Sequence, residues 1–271
     1  MLIETLSTFP HMYDSVMGTS MMKRALDKGI IEFHAYDLRD WTHDRHRTTD
    51  DAPYGGGPGL VMKCEPIFEA VDDIVGGVVG VTTDSDMRVD IDAKVEDSAN
   101  ATDLLKPHII FLSPEGQRFN DDVACQLAEK DRLLFVCGHY EGIDARAYTL
   151  ADTTISLGDY VLTSGELASM VIIDAVVRKL PGVLGAAEEG VADESFATGL
   201  LEYPQYTRPE SFRGMSVPQV LLSGDHAAVA LYRRKQALAR TYRLRPDLLD
   251  SAQLSQDDLD FLKSLFDVGE G

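Results

Sequence analysis

The chain has 271 residues, 44% of them hydrophobic, and a formal net charge of −20. That length and apolar content suffice for one good-sized core plus a smaller helical unit, and the acidic balance excludes a protein that coats nucleic acid through its overall charge. No stretch reaches the roughly 20 apolar residues of a membrane span, and the first ten residues lack the basic start and apolar run of a signal peptide, so a cytoplasmic protein with no membrane partner is expected.

In chain order, short apolar runs rich in β-branched residues fall at 2–6, 30–36, 108–112, 133–137 and 153–157, with helix-like stretches between several of them. This alternation predicts an α/β fold on a largely parallel sheet. The acidic, polar stretch 76–101 reads as a surface excursion. A helix is predicted over 165–180, with Leu167, Met170, Ile173, Val176, Val177 and Leu180 on its apolar face, Thr163 and Glu166 as a capping box, and Pro181-Gly182 as its stop. The first domain is therefore drawn over 1–185, and a small, acidic, Gly-containing linker over 186–197. A helical unit follows over 198–271, in which Asp225 caps a helix running to about Tyr242, with Arg233 and Arg240 on one face.

Cys64, Cys125 and Cys137 form no CxxC pair and have no histidine cluster nearby, so no disulfide frame or metal site is legible and all three read as small buried residues. Charge is uneven along the chain. Arg45, His46 and Arg47, and later Arg233, Arg234, Lys235, Arg240, Arg243 and Arg245, form basic islands that leave a nucleic-acid partner open.

Three predicted strands run directly into Gly-bearing loops, SPEG at 113–116, GHYEG at 138–142 and GDY at 158–160. Ligands of open α/β sheets bind beyond the carboxyl ends of the strands, so the three loops suggest one composite pocket, although turn geometry alone would also call for glycine. YGGGPG at 54–59 carries neither a GK[ST] ending nor a GxGxxG fingerprint. It reads either as a flexible turn or as a segment that needs backbone contact. THDRHRT at 42–48 is either a solvated loop or a phosphate-facing one in which Asp44 holds an arginine. Asp174 and Arg178 have ion-pair spacing, but an arginine there also suits a reacting group; Asp193 and Glu194 read as solvated acids or as carboxylates that close over a base.

Together these segments resemble the bacterial tRNA (guanine-N1)-methyltransferases that modify position 37, members of the SPOUT superfamily. The resemblance runs through THDRHRT (42–48), PYGGGPG (53–59), LSPEG (112–116), GHYEGIDAR (138–146), LGDYVLTSGEL (157–167), PGVLG (181–185), YTRPE (206–210) and VLLSGDH (220–226). It implies a homodimer, and a first domain with a trefoil knot that holds S-adenosylmethionine. The positions it marks for that molecule are Pro114, Gly138, Tyr140, Glu141, Gly142, Leu157, Gly158, Asp159, Tyr160, Val161, Leu162 and Gly165. It implies a tRNA partner with guanine at position 37, met by Arg45, His46, Gly57, Gly59, Arg208 and Arg233. Magnesium is an expectation of the family only.

Guanine N1 carries a proton at neutral pH, so its methylation needs a base for that proton and a cation for charge developing on O6. The family pattern makes Arg178 the cation and an aspartate before Ser-Phe the base. Here Glu194 stands before Ser195 and Phe196, with Asp193 one step earlier, so both carboxylates stay candidates. A second departure is Ser164 in Thr163-Ser164-Gly165, where relatives usually carry glycine. Ribose methylation by another knotted enzyme and RNA binding without catalysis are the competing readings.

Overall fold

The structure is a computed structural model that describes residues 1–76, 106–184 and 194–269. The chain divides into two compact units, Met1–Leu184 and Gly185–Gly271. In the first, β1 (Leu2–Ser7), α1 (Asp14–Met17), α2 (Ser20–Asp27) and β2 (Glu32–Asp37) are followed by β3 (Asp50–Asp51), β4 (Val61–Met62) and α3 (Cys64–Gly76). Then come β5 (His108–Arg118), α4 (Asp121–Ala128), β6 (Arg132–Val136), β7 (Thr153–Ser156) and α5 (Gly165–Val177). Apart from Gly76 and residues 194–197, the expected excursion 76–101 and linker 186–197 lie outside the described residues.

Five strands form one parallel sheet in the order β2-β1-β6-β5-β7, and β3 pairs with β4 as a separate antiparallel ribbon. Successive strand residues point to opposite faces, and both faces of this sheet are covered, so its central strands are continuously apolar rather than alternating. Along β6, Leu133 and Phe135 join Met22 and Ala25 of α2 and Ile172, Ile173 and Val176 of α5. Leu134 and Val136 join Ile67, Ala70 and Ile74 of α3 on the other face. Each fully buried Leu, Ile, Val or Phe side chain among them contributes roughly 1.5–3 kcal/mol.

Strand β5 departs from the expected run, which ends at Leu112. The chain leaves the ladder between Leu112 and Gln117, both of which partner Ile155 of β7, and then pairs again at Arg118. The SPEG segment is therefore an excursion within a strand rather than the loop after one. Gly116 lies so close to β7 that a Cβ there would meet the Ile155 nitrogen at 2.6 Å.

Helix α5 forms where expected but buries a different set of residues. Ala168, Ser169, Ile172, Ile173, Val176 and Val177 are buried, whereas Leu167 and Val171 are exposed. Ser164 is the N-cap residue, and Glu166, with no solvent exposure, accepts a 2.5 Å hydrogen bond from Ser7 Oγ rather than reaching back as a capping box would. Tertiary packing against β1 has won over the local motif. Cys64 and Cys137 are buried, but Cys125 is exposed on the outer face of α4.

In the second unit, the described elements include the β8–β9 hairpin (Ser211–Phe212, Met215–Ser216), α6 (His226–Leu244) and α7 (Gln256–Gly269). Asp225 caps α6 by accepting from the Ala228 amide at 3.0 Å. Leu200, Ala237, Leu238 and Leu262 form the core. Arg234 clamps Asp258 through Nε at 3.1 Å and a terminal nitrogen at 2.9 Å, which holds that carboxyl down at about 2. Among the described residues no helix is long and apolar enough to cross a membrane.

Candidate functional site

The loops that follow β6 and β7, together with the β5 excursion, enclose a cavity of about 490 Å³. That size suits a small cofactor rather than a solvent molecule. Pro114, Gly138, Tyr140, Glu141, Gly142, Leu157, Gly158, Tyr160, Val161, Leu162 and Gly165 all line it. Asp159, expected with them, does not; it turns outward to pair with Arg118 at 2.7 Å, both side chains exposed. The segment bends here, with the Tyr160 amide donating to the Gly158 carbonyl at 2.9 Å, and Asp159 lies at the outside of the bend.

The enclosure depends on backbone meeting backbone. The Gly165 amide donates to the Gly138 carbonyl at 2.7 Å, and a Cβ at position 165 would lie 2.7 Å from the Gly138 nitrogen. Tyr140 holds a left-handed φ of 58°, a strained conformation for a tyrosine, in the cavity wall. Behind the wall, Tyr13 Oη is hydrogen-bonded to Ser169 at 2.7 Å and lies 3.2 Å from Cys137 Sγ. Burial pushes the Cys137 thiol up to about 12 and raises the Tyr13 phenol, so both stay neutral and serve as structure.

Sequence reasoning missed His139, Tyr148 and Ser164, which also line the cavity. His139 sits inside GHYEG and was legible there, wedged between Phe9 and Tyr140 with ring centroids 4.8 and 4.7 Å away. Tyr148 comes from the 3₁₀ turn Ala145–Leu150 and packs on Phe111 at 5.1 Å, a long-range contact with no local signal.

The polar segment 42–48 is organised by Asp44. Its carboxylate accepts from the His46 amide at 2.8 Å and from the Thr48 amide and hydroxyl, each at 2.9 Å. Those hydrogen bonds, led by the Thr48 amide, lower the Asp44 carboxyl to about 2. Asp44 therefore holds backbone and not an arginine, while Arg47 pairs with Asp40 and Arg45 and His46 remain exposed. Beyond it, Gly57 and Gly59 have φ of 130° and 82°. The segment docks on the cavity wall through Glu141 N to Leu60 O at 3.1 Å and Met62 N to Gly142 O at 2.9 Å. A larger cavity of about 980 Å³, lined by Asp44, Tyr54, Lys63 and Arg146 among others, lies beside it.

Arg178 is the half-buried C-cap residue of α5, its amide on the Asp174 carbonyl at 3.1 Å. Glu194 belongs to the second unit, half-buried, its carbonyl accepting from Ala197 N at 3.2 Å; Asp193 lies outside the described residues. Arg208 and Arg233 share a cavity of about 480 Å³ in the second unit, where the Arg233 guanidinium sits 4.7 Å from the Tyr203 ring centroid. The basic island around them is partly used internally, since Arg234 is held by Asp258 and Arg245 by Asp247 at 2.7 Å. Among the described residues no group of three His, Cys, Asp or Glu could hold a metal ion.

Comparison with known proteins bears on this geometry. The family model described as tRNA (Guanine-1)-methyltransferase TrmD matches residues 1–251. Proteins named tRNA (guanine-N(1)-)-methyltransferase are similar from end to end. That of Moorella thermoacetica is 47% identical, over 98% of this chain and 96% of that protein. That of Dictyoglomus turgidum is 46% identical, over 97% and 96%. That of Shouchella clausii is 46% identical over the full length of both. The loops that meet at the cavity and the segment docked against it fall within the matched residues, and the chain belongs to the tRNA (guanine-1)-methyltransferase TrmD family.

Proposed function

We propose that the chain transfers a methyl group from S-adenosylmethionine to N1 of guanosine 37 in tRNA, beside the anticodon. The observation that carries the reading is the single cavity into which the three glycine-bearing loops converge. Its volume of about 490 Å³, its close backbone walls and its mixed apolar and hydroxyl lining fit an adenosyl ligand. When bound there, S-adenosylmethionine supplies an electrophilic methyl group on a sulfonium.

The chain's own residues supply the rest. The Arg178 guanidinium stabilises negative charge developing on guanine O6, and Glu194, or Asp193 beside it, takes the N1 proton. Arg45, His46, Gly57 and Gly59 of the exposed segment meet the anticodon loop, and Arg208 and Arg233 of the helical unit meet the RNA backbone. The reading includes the trefoil knot, which rests on the family to which the chain belongs. It also includes a cytoplasmic location and a homodimer, the latter supported by the exposed apolar side chains of Leu167 and Val171 on α5.

The test is labelled methyl transfer to a tRNA transcript with guanine at position 37, followed by nucleoside mass spectrometry. The expected product is 1-methylguanosine, and Arg178→Ala is expected to lower kcat by about 100-fold or more, as removal of one preorganised donor does. A ribose-methylated product would replace the assignment, and RNA binding with no donor binding in calorimetry would make the chain a binding protein. Glu194→Gln and Asp193→Asn identify the base, because only that position is intolerant of the amide.

A further inference from the structure

We infer that the cavity of the second unit takes in one base turned out of the RNA stack; this rests on the tRNA reading above and adds to its backbone contacts a site for a base. The cavity measures about 480 Å³. That lies inside the range of roughly 300–1,000 Å³ that receives small ligands, and it cannot admit a duplex. Its wall is assembled from separate pieces of this unit. Val229 and Arg233, four apart, come from one face of α6, and Leu221 and Leu222 from the 3₁₀ turn Gln219–Leu222. Tyr203, Tyr206 and Arg208 come from the irregular segment before the β8–β9 hairpin.

Two kinds of surface meet there. Tyr206 and Leu222 are each 47% exposed although they line a cavity, so they present apolar area to whatever enters it. The Tyr206 hydroxyl is hydrogen-bonded to that of Tyr232, which holds the ring in place. The cationic surface is Arg208, exposed, and Arg233, laid against the Tyr203 ring at 4.7 Å. Among the described residues neither is in an ion pair, whereas Arg234 and Arg245 are, in a chain where 45 acidic residues face 25 basic ones. Aromatic surface beside open guanidinium groups is how unpaired RNA is bound: the base stacks on the ring and the phosphates beside it fall to the arginines. Glu210, also in the lining, adds an acceptor for a base amino group. A bare phosphate site would need no apolar wall, and an apolar site would need neither arginine.

The experiment measures binding of the full chain to an anticodon stem-loop RNA with guanine at position 37, and to versions in which one loop nucleotide at a time is abasic. Tyr206→Ala is expected to bind the intact RNA about 5- to 100-fold more weakly, the range for loss of one stacked base, and Tyr206→Phe, which keeps the ring, to recover most of that. One abasic position is expected to weaken wild type by a similar factor and Tyr206→Ala no further, which identifies the captured base. Arg208→Gln is expected to lower the slope of log Kd against log salt by about one, while Tyr206→Ala leaves it alone. If Tyr206→Ala melts early or loses S-adenosylmethionine binding, Leu222→Asp at its half-open position carries the same test and is expected to couple to the same abasic position. Losses that simply add at every abasic position overturn the inference and leave the cavity a backbone contact. Losses that track a change in sedimentation overturn it in favour of a contact between copies of the chain. A wild type that neither binds nor methylates the intact stem-loop defeats the tRNA reading itself.

Discussion

The loops around the 490 Å³ cavity and the polar segment that ends in YGGGPG are both rich in glycine, and they meet at Glu141 and Gly142, yet different forces hold them. At the seam of the cavity wall, glycine is needed for space. At Gly165 nothing larger than hydrogen fits between the start of α5 and the end of β6. At the exposed tip of the polar segment glycine is needed for conformation: Gly56 has φ +74° and nothing within 4 Å of where its Cβ would be. The first region is a rigid container made by the sheet. The second is a surface loop shaped by its own turns and tethered at one end, the arrangement expected of a segment that adapts to a large partner.

Substitution can break that comparison, and the largest effect is expected at the container. Gly165→Ala puts a methyl against backbone that cannot yield cheaply, so a loss of about 2–3 kcal/mol in denaturant unfolding is expected, with at least a tenfold fall in donor affinity. Stability and affinity both at wild-type values would show that the α5–β6 seam is soft. Gly56→Ala is expected to cost about 1 kcal/mol, the penalty of a left-handed alanine, and to leave donor affinity unchanged. Gly56→Asn should recover part of it, because asparagine tolerates that conformation.

The smallest effect is expected at Asp44. Its carboxyl is held at about 2, below its ordinary value near 4, so whatever order it lends the loop is complete above pH 4 and disappears as the pH falls toward 2. The group is solvent-exposed, so Asp44→Asn should leave the melting temperature alone and instead speed proteolytic cleavage within 42–48 at neutral pH. A clear drop in melting temperature would mean that this segment is part of the folded core, and the contrast between the two regions would fall.

Much of this arrangement is local and was legible in the residues. The continuous apolar runs at 108–112 and 133–137 announce strands buried on both faces, and Asp225 announces the start of α6 through a bond it makes three residues away. The glycine-bearing ends of β6 and β7 likewise mark where loops can approach one another. Periodicity failed where one contact outweighed a pattern. Leu167 and Val171 belong to an apolar helix yet face out, because Glu166 and Ser169 are drawn inward by Ser7 and Tyr13.

What the sequence determined alone was the five strands of the central sheet, the helices over 165–180 and after Asp225, and the family to which the motifs belong, since each of these depends on neighbours a few residues apart. Only the tertiary structure decided that β5 leaves and rejoins its ladder at Ile155, that Asp159 turns away from the cavity while Tyr148 enters it, and that Ser164 is buried with its hydroxyl unpaired. Those outcomes are set by groups tens of residues away competing for the same small volume, and no local pattern records which of them wins.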